Sequence, residues 1–236
     1  MAVSTLAEPV VHGRRRGATV VAATRHGGYL LLDDGTEVLP VLTADALMLP
    51  TAVRLPWVGD GARLRLEQGE RVLVGEGAVL TAHADLTVVR TVRPARVRRV
   101  SGCAPHTPLR PERVSRLLGR GPGLTPEGDD ELAGHLLVLA AVGGALPDLE
   151  PHLARTTALS ASLLRAAARG YAVPAVVGYV DAVVGRDPAT ARRLRPVVAG
   201  IGHTSGPALL RGIHHALDNT TTTSTTTTRT IERTVA

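Results

Sequence analysis

Phenylalanine and lysine are absent from this sequence of 236 residues, which also has one tryptophan, three tyrosines and one cysteine. Its core must therefore be built from small aliphatic side chains, and all 27 basic residues are arginine. The lone cysteine, Cys103, excludes a disulfide framework and a cysteine-based metal site. The scarcity of aromatic rings argues against single-stranded nucleic-acid binding, which uses stacking platforms. Together with the excess of alanine, glycine and valine, the arginine bias is typical of a GC-rich genome.

Long apolar segments are also missing from the sequence. No apolar run approaches the roughly 20 residues of a membrane helix, and no charged N-terminal region precedes a short apolar segment as in a signal peptide. The sequence therefore predicts a soluble, cytoplasmic protein that has neither a membrane nor a nucleic acid as its partner. The net charge of +6 is spread along the chain, so we interpret it as a basic surface that attracts anionic metabolites. A nucleic-acid-binding regulator is a further interpretation, which steeply salt-dependent DNA binding would support.

The hydrophobic pattern changes along the chain and predicts an α+β protein. Residues 1–93 contain short apolar segments between Gly-rich turns, which indicate an antiparallel β-rich sheet or small barrel. Residues 94–111 are rich in proline and arginine and form a predicted linker. Residues 112–218 show helical spacing and form the predicted helical domain, and the threonine-rich residues 219–236 form a predicted disordered tail.

Several individual elements can be placed from the same pattern. The sequence Asp33-Asp34-Gly35 between two apolar segments predicts a β-hairpin, and Leu64–Leu66 predicts a further strand. Apolar residues at helical spacing, together with the glycines that follow them, predict four long helices. These helices cover residues 126–142, 149–168, 173–184 and 189–198.

The most informative stretch is a glycine-rich turn that leads into the helix beginning near residue 126. Gly121 and Gly123 lack the Cβ atoms that would prevent a sharp bend or the close approach of a ligand. Thr125 is predicted to be the N-cap of the helix, with Pro126 at its first position. The free N–H groups of such a helix start attract anions. Asp129 and Asp130 follow within one turn.

Two interpretations of this stretch remain open. In the first, the glycines form a loop, Thr125 and Pro126 start a helix, and the acidic residues complement the helix dipole. In the second, the stretch is a binding site, because Gly128 and Gly134 lie inside the first turns, where each costs about 1 kcal/mol relative to alanine. A helix that keeps such glycines needs something to come close to it, which favours the second interpretation.

Two further segments carry polar groups that a site could use. Thr157 and Ser160 lie near the middle of a predicted helix, where hydroxyls either line a polar pocket or bond back to the helix. The segment Gly200–Pro207 is a second glycine-rich turn that opens a helix, with Thr204, Ser205 and Gly206 at its start. His203 lies inside this turn, where it could act as an acid or base near neutral pH; a histidine bonded to the backbone of the turn is the alternative.

These segments resemble the conserved blocks of the AllH-like family, which is described as a subunit of oxamate carbamoyltransferase. The first block is Gly-Pro-Gly-Leu-Thr-Pro-Glu-Gly-Asp-Asp at 121–130. The second is Arg155-Thr-Thr, followed by Ser160 and Gly170, and the third is Gly-His-Thr-Ser-Gly at 202–206. The resemblance extends over about 110–217, whereas the N-terminal half is similar to the family only in its strand-rich character.

The resemblance implies an N-terminal β-rich region, a C-terminal helical domain and a role in purine (allantoin) catabolism. The implied reaction transfers a carbamoyl group between oxalurate and phosphate, and it releases oxamate and carbamoyl phosphate. It also implies other carbamoyltransferase subunits as partners. The sequence departs from the family pattern at Glu127, Glu131 and Ala208, where a small hydroxyl residue, an aromatic residue and an acidic residue are common. These departures change the charge of the site and put the identity of the substrate in question.

As a hypothesis, the two glycine-rich helix starts meet in one pocket that binds an anionic small molecule. Backbone N–H groups would bind its oxygens and stabilise charge that develops on a carbamoyl group. The acidic pair would bind a divalent cation such as Mg²⁺ or position the N–H groups of a ureido substrate. The residues assigned to catalysis are Asp129, Asp130 and His203. The residues assigned to substrate binding are Gly121, Gly123, Leu124, Thr125, Gly128, Thr157, Ser160, Thr204, Ser205 and Gly206.

A non-catalytic subunit is the rival hypothesis. Such a subunit would use the same pocket to bind a ligand for regulation or assembly, or it would serve as a scaffold for a partner enzyme. Turnover by the purified protein, alone or with its partners, discriminates between the two hypotheses.

Overall fold

The computed structural model describes residues 1–58, 64–100 and 109–226, and it describes side chains as far as residue 217. The chain forms two compact units that interleave along the sequence. The first unit comprises Met1–Arg96, Thr157–Ala166 and Tyr171–Pro174. The second comprises Val97–Thr156, Ala167–Gly170 and Ala175–Ala236. Cys103 lies outside the described residues.

The first unit contains the β-sheet, so the predicted α+β class is confirmed. Nine strands in the described part of the chain form one curled sheet with the order β8-β7-β6-β2-β3-β4-β5-β1-β9. Most neighbouring strands are antiparallel as predicted, but β4 with β5 and β1 with β9 are parallel. The strands are β1 (Ala2–Ser4), β2 (Arg16–Thr24), β3 (Gly27–Leu32), β4 (Val38–Leu42), β5 (Val53–Arg54), β6 (Arg71–Gly75), β7 (Ala78–Leu80), β8 (Asp85–Thr87) and β9 (Arg90–Val92).

The hairpin predicted at Asp33-Asp34-Gly35 is confirmed. It joins β3 to β4, which pair in an antiparallel register, and Gly35 turns the chain with a φ of 70°. The strand predicted at Leu64–Leu66 is wrong, because Arg65 has a left-handed φ of 46° that interrupts extended backbone. The sheet core consists of small aliphatic side chains, as the composition requires; it includes Val3, Val11, Val20, Leu30, Leu32 and Val53.

The helices follow the periodicity of the sequence with one exception. They are α1 (Glu8–Val11), α2 (Pro111–Leu117), α3 (Glu127–Val142), α4 (Ala158–Ala168), α5 (Pro174–Val184), α6 (Pro188–Ala199) and α7 (Ser205–Thr226). The single helix predicted over 149–168 is wrong. A 3-10 helix at Glu150–Arg155 precedes α4, and Thr156 between them is extended, with φ −122° and ψ −179°.

The last helix continues into the threonine-rich segment. It includes the backbone as far as Thr226, and residues 227–236, the rest of the predicted tail, lie outside the described residues. The domain boundaries drawn from composition remain a prediction. Within the described residues, no helix combines the length and the apolar character that crossing a membrane requires.

Candidate functional site

The first glycine-rich motif forms a tight turn between α2 and α3. Gly119, Gly121 and Gly123 have positive φ values of 73°, 116° and 91°, which side chains with a Cβ rarely adopt. The predicted N-cap is one residue out of position. Pro126 is the N-cap, because its carbonyl accepts from the N–H groups of Asp129 and Asp130 at 2.9 and 3.2 Å while its own ψ is 139°. Proline has no side-chain acceptor, so no side-chain hydrogen bond from the N-cap residue caps α3.

The side chain of Asp129 points inward and stabilises this turn through hydrogen bonds. One carboxylate oxygen accepts from the Gly119 N–H at 2.7 Å, and the other accepts from the Thr156 hydroxyl. The side chain is almost completely buried, with the residue 2% exposed. Both oxygens are therefore used by the protein itself. The contact joins the turn before α3 to the extended residue that separates the 3-10 helix from α4.

Asp130 has a different environment although it is the next residue. Its carboxyl group forms a hydrogen bond with the Ser205 side chain at the start of α7. Its Oδ2 atom is buried and has no hydrogen-bond partner among the described residues, and the residue is 9% exposed. Burial, with smaller contributions from the charges of Asp129 and Glu127, raises the pKa of Asp130 to about 6, against the effect of the Ser205 hydrogen bond. Two sequence motifs therefore meet at one carboxyl group.

Glycine allows α3 and α7 to approach each other closely. A Cβ at Gly134 would overlap the carbonyl oxygen of Leu209, and a Cβ at Gly212 would overlap that of Glu131. Gly128 is similarly close to the carbonyl oxygen of Leu117 in α2. The partners that approach these helical glycines are thus neighbouring backbones. The hypothesis that Gly128 and Gly134 make room for a ligand is not needed to explain them.

An ion-pair network joins α3 to the neighbouring helices α2 and α7. Glu131 accepts from Arg113 of α2 at 2.6 Å and from Arg211 of α7 at 3.4 Å. Arg211 also pairs with Glu127. The two acidic residues that depart from the family pattern are therefore neutralised by arginines, and burial lowers the pKa of Arg113. They link α2, α3 and α7.

His135 is a buried polar residue that sequence reasoning did not single out. It is 2% exposed, and its Nδ1 atom has no hydrogen-bond partner among the described residues. Its ring lies 5.5 Å from that of His215, centroid to centroid. Burial, followed by the charges of His215 and Arg113, lowers the pKa of His135 to about 4. Its position one turn after Glu131 on an apolar helix was the available signal.

The helix starts offer fewer free donors than the sequence suggested. The Gly128 N–H donates to the Arg120 carbonyl at 2.9 Å. In the second motif, the Gly206 N–H donates to Ile201 at 2.8 Å, and the Ala208 N–H donates to Thr204 at 3.1 Å. These internal bonds occupy the N–H groups of Gly128, Gly206 and Ala208. Of the residues predicted to bind substrate, Gly128 and Gly206 therefore have N–H groups that bond within the protein, and anion binding by the two turns stays a prediction.

The other predicted residues have varied positions. Thr157 and Ser160 belong to the first unit, where the Ser160 N–H donates to Thr157 Oγ1 at 3.0 Å at the start of α4. His203 and Thr204 are exposed in the turn before α7, and Leu124 is half-buried. Within the described residues, no group of three or more histidine, cysteine, aspartate or glutamate side chains is arranged to hold a metal ion.

Comparison with known families finds a match for the part of the chain that carries the three motifs. Residues 117–217 match the family model described as oxamate carbamoyltransferase subunit AllH. The matched segment contains the glycine-rich turn before α3, the start of α4 and the start of α7, so the resemblance inferred from the three blocks is confirmed over these residues. No solved structure matches the chain.

Proposed function

We propose that this chain is a subunit of a carbamoyltransferase that acts on oxalurate and phosphate and yields oxamate and carbamoyl phosphate in purine (allantoin) catabolism. The supporting observation is the contact between Asp130 and Ser205. These residues belong to two separate blocks of the matched segment. Buried carboxylates with a purely structural role normally have their oxygens hydrogen-bonded. A buried carboxyl group with an unpartnered oxygen is therefore a candidate for chemistry.

In this proposal, substrate reaches the start of α7 beside Ser205, which is half-buried. The positive end of the α7 dipole would stabilise the negative charge of phosphate or of a reacting carbonyl oxygen. Asp130 would exchange a proton with the reacting group, since a pKa of about 6 leaves it able to act as a base near neutral pH. The exposed His203 would contact the anionic part of the substrate. Asp129 would hold the turn in position through Gly119 and Thr156.

The test is phosphate-dependent release of oxamate from oxalurate by the chain together with its partner subunits. We expect Asp130→Asn to lower kcat by about 10²–10⁴-fold, the range for loss of a general acid or base. Leu146→Ala serves as the control, because Leu146 is exposed between α3 and the 3-10 helix. Absence of oxamate release by the complete wild-type assembly, or full activity in Asp130→Asn, would contradict the proposal.

A non-catalytic ligand-binding or scaffold subunit is the second candidate. The observation that favours it is that much of the first motif is used internally: Gly128 is in contact with the backbone of α2, and Asp129 accepts two hydrogen bonds from the protein. Adding the chain to its partner subunits distinguishes the two. A scaffold restores activity equally well with Asp130→Asn, whereas a catalytic subunit does not.

A further inference from the structure

We propose that Ser205 is a nucleophile that accepts the carbamoyl group, and that Asp130 is its proton acceptor. The proposal rests on the proposed carbamoyl transfer and extends it from substrate binding to a covalent step. It divides the reaction into two half-reactions that use the same serine. The first would transfer the carbamoyl group from the ureido donor to the serine, and the second from the serine to phosphate.

The position of Ser205 suits a nucleophile. It is the first residue of α7, directly after a turn in which Gly202 has a φ of 58°. Its Oγ lies 3.5 Å from the position that a Cβ on Gly202 would occupy, so glycine leaves room beside the hydroxyl group. The residue is half-buried, which allows a small molecule to reach it. The helix dipole favours negative charge at this end of α7.

The second observation concerns the carboxyl group beside this serine. Asp130 is nine-tenths buried, its Oδ2 atom has no partner among the described residues, and the carboxyl group contacts Ser205. Each hydrogen bond that a carboxylate accepts lowers its basicity, and burial without such bonds raises it. Asp129 shows the contrast, because donors from Gly119 and Thr156 occupy its two oxygens. Of the two neighbours, Asp130 is therefore the one with a carboxylate oxygen left to accept the hydroxyl proton.

The proposed chemistry balances without any additional reactant. The Ser205 Oγ forms a bond to the carbamoyl carbon of the ureido donor, and the bond from that carbon to the leaving amide nitrogen breaks. The proton of the hydroxyl group passes through Asp130 to that nitrogen, so the amide leaves neutral and an O-carbamoyl serine remains. An oxygen of hydrogen phosphate then attacks the same carbon, the bond to Oγ breaks, and the phosphate proton returns to Ser205 through Asp130. The products are the amide and carbamoyl phosphate.

Isotope exchange tests the covalent step separately from the overall reaction. The complete assembly is incubated with oxalurate and ¹⁵N-labelled oxamate in the absence of phosphate. A carbamoyl-serine intermediate predicts label in oxalurate, because the first half-reaction runs in both directions. We expect Ser205→Ala to lower this exchange by about 10³-fold or more. The control is Ser115→Ala, since Ser115 is exposed on α2.

Mass spectrometry of the acid-quenched chain gives a second readout. With oxalurate alone, the wild-type chain should gain one carbamoyl group in place of one hydrogen, and fragmentation should locate it at Ser205. The absence of lysine leaves the N-terminal amino group as the main site of non-specific carbamoylation, and fragmentation distinguishes that site from Ser205. Ser205→Ala should show no such adduct, while circular dichroism checks that it folds.

The outcomes separate the two proposals. Exchange and a carbamoyl adduct that are both lost in Ser205→Ala support the covalent step. Phosphate-dependent oxamate release without exchange, or with Ser205→Ala fully active, overturns the covalent step and leaves the proposed carbamoyl transfer in place. If the complete assembly releases no oxamate with phosphate, the proposed function fails, and the covalent step fails with it.

Discussion

The carboxyl groups of two adjacent aspartates, Asp129 and Asp130, have different hydrogen-bond environments. Asp129 accepts from a backbone N–H and a threonine hydroxyl, whereas Asp130 contacts Ser205 and retains a buried oxygen without a partner. The sequence predicts both as equivalent members of an acidic pair. Their difference arises from helical geometry, since successive side chains point about 100° apart around the axis. One therefore faces the preceding turn and the other faces α7.

Replacing Asp130 by asparagine should make stability less dependent on pH. The pKa of Asp130 is raised from 3.8 to about 6, so the folded state binds its proton more tightly than the unfolded state. Its contribution to the free energy of unfolding is present below pH 4 and is lost as the pH rises through about 6, by about 3 kcal/mol. Asp130→Asn should remove this loss and be the more stable protein at pH 7. Urea unfolding at a series of pH values measures it, and equal pH profiles for the two proteins would contradict it.

His135 should show the opposite dependence. Its pKa is lowered from 6.5 to about 4, so the folded state excludes a proton that the unfolded state accepts. The stability that depends on its neutral form is present above pH 6.5 and is lost as the pH falls toward 4, by about 3 kcal/mol. Proton NMR titration of the ring should give a midpoint well below 6.5, the ordinary value for a histidine side chain. A midpoint near 6.5 would show that His135 is not buried as described.

Asp129 should matter for stability. Asp129→Ala would leave the Gly119 N–H and the Thr156 hydroxyl, which are both partly buried, without their acceptor. We expect a loss of about 2–4 kcal/mol in the free energy of unfolding, because each unsatisfied buried group costs about 1–3 kcal/mol. Denaturant unfolding measures it, with Asp148→Ala as the exposed control. A loss no greater than that of the control would show that the contacts of Asp129 are not formed.

At the scale of elements, glycines set the distance between helices. In an isolated helix, alanine in place of glycine is stabilising by about 1 kcal/mol. At Gly134 and Gly212 the added Cβ would overlap a carbonyl oxygen of the facing helix. The cost of this overlap should exceed the gain in helix propensity. We expect Gly134→Ala and Gly212→Ala each to lower the free energy of unfolding by about 1–3 kcal/mol.

Gly178 in α5 provides the matched control for this experiment. A Cβ there would meet only the mobile end of Leu194, whose Cδ1 is 3.0 Å away. Gly178→Ala should therefore be neutral or stabilising by up to about 1 kcal/mol. Thermal unfolding of the three variants measures the contrast. Equal effects at Gly134 and Gly178 would mean that α3 and α7 are not in backbone contact.

Elements with a strong hydrophobic periodicity were predictable from the sequence, whereas the elements that pack against them were not. The spacing of Leu132, Leu136 and Leu139 predicts α3, and the Asp-Gly turn predicts the hairpin between β3 and β4; both are confirmed. The sequence also predicted Asp130 and Ser205 as site residues. It could not show that the Gly134 backbone faces Leu209, because the identity of a long-range neighbour depends on tertiary packing. For the same reason it missed His135 and the ion pairs of Glu131.

At the scale of the whole molecule, each of the two units consists of several segments, and the segments of the two units alternate along the sequence. Residues 157–166 and 171–174 belong with the sheet rather than with the helices that surround them in sequence. The Ala172 N–H donates to the Ala95 carbonyl at 3.3 Å, and the Arg96 guanidinium lies 5.2 Å from the centre of the Tyr171 ring. A division between residues 93 and 94, as composition suggests, would separate the sheet from these segments.

A fragment of residues 1–96 should therefore fold poorly by itself, whereas a fragment of residues 1–174 retains every segment of the first unit. We expect well-dispersed amide signals in the ¹H–¹⁵N NMR spectrum of the sheet residues in the longer fragment and weak dispersion in the shorter one. Adding residues 97–236 as a separate chain should restore dispersion to 1–96. A well-dispersed spectrum from 1–96 alone would show that the later segments are dispensable.

The backbone contact of α3 with α7 has a consequence for the proposed carbamoyl transfer. Because Gly134 and Gly212 let the two helices lock together, neither helix can slide along the other without a steric clash. The carboxyl and hydroxyl groups at their N-terminal ends are therefore preorganised before any substrate arrives. The entropy of aligning them is lost during folding, and the binding energy of the substrate remains available for orienting the substrate itself.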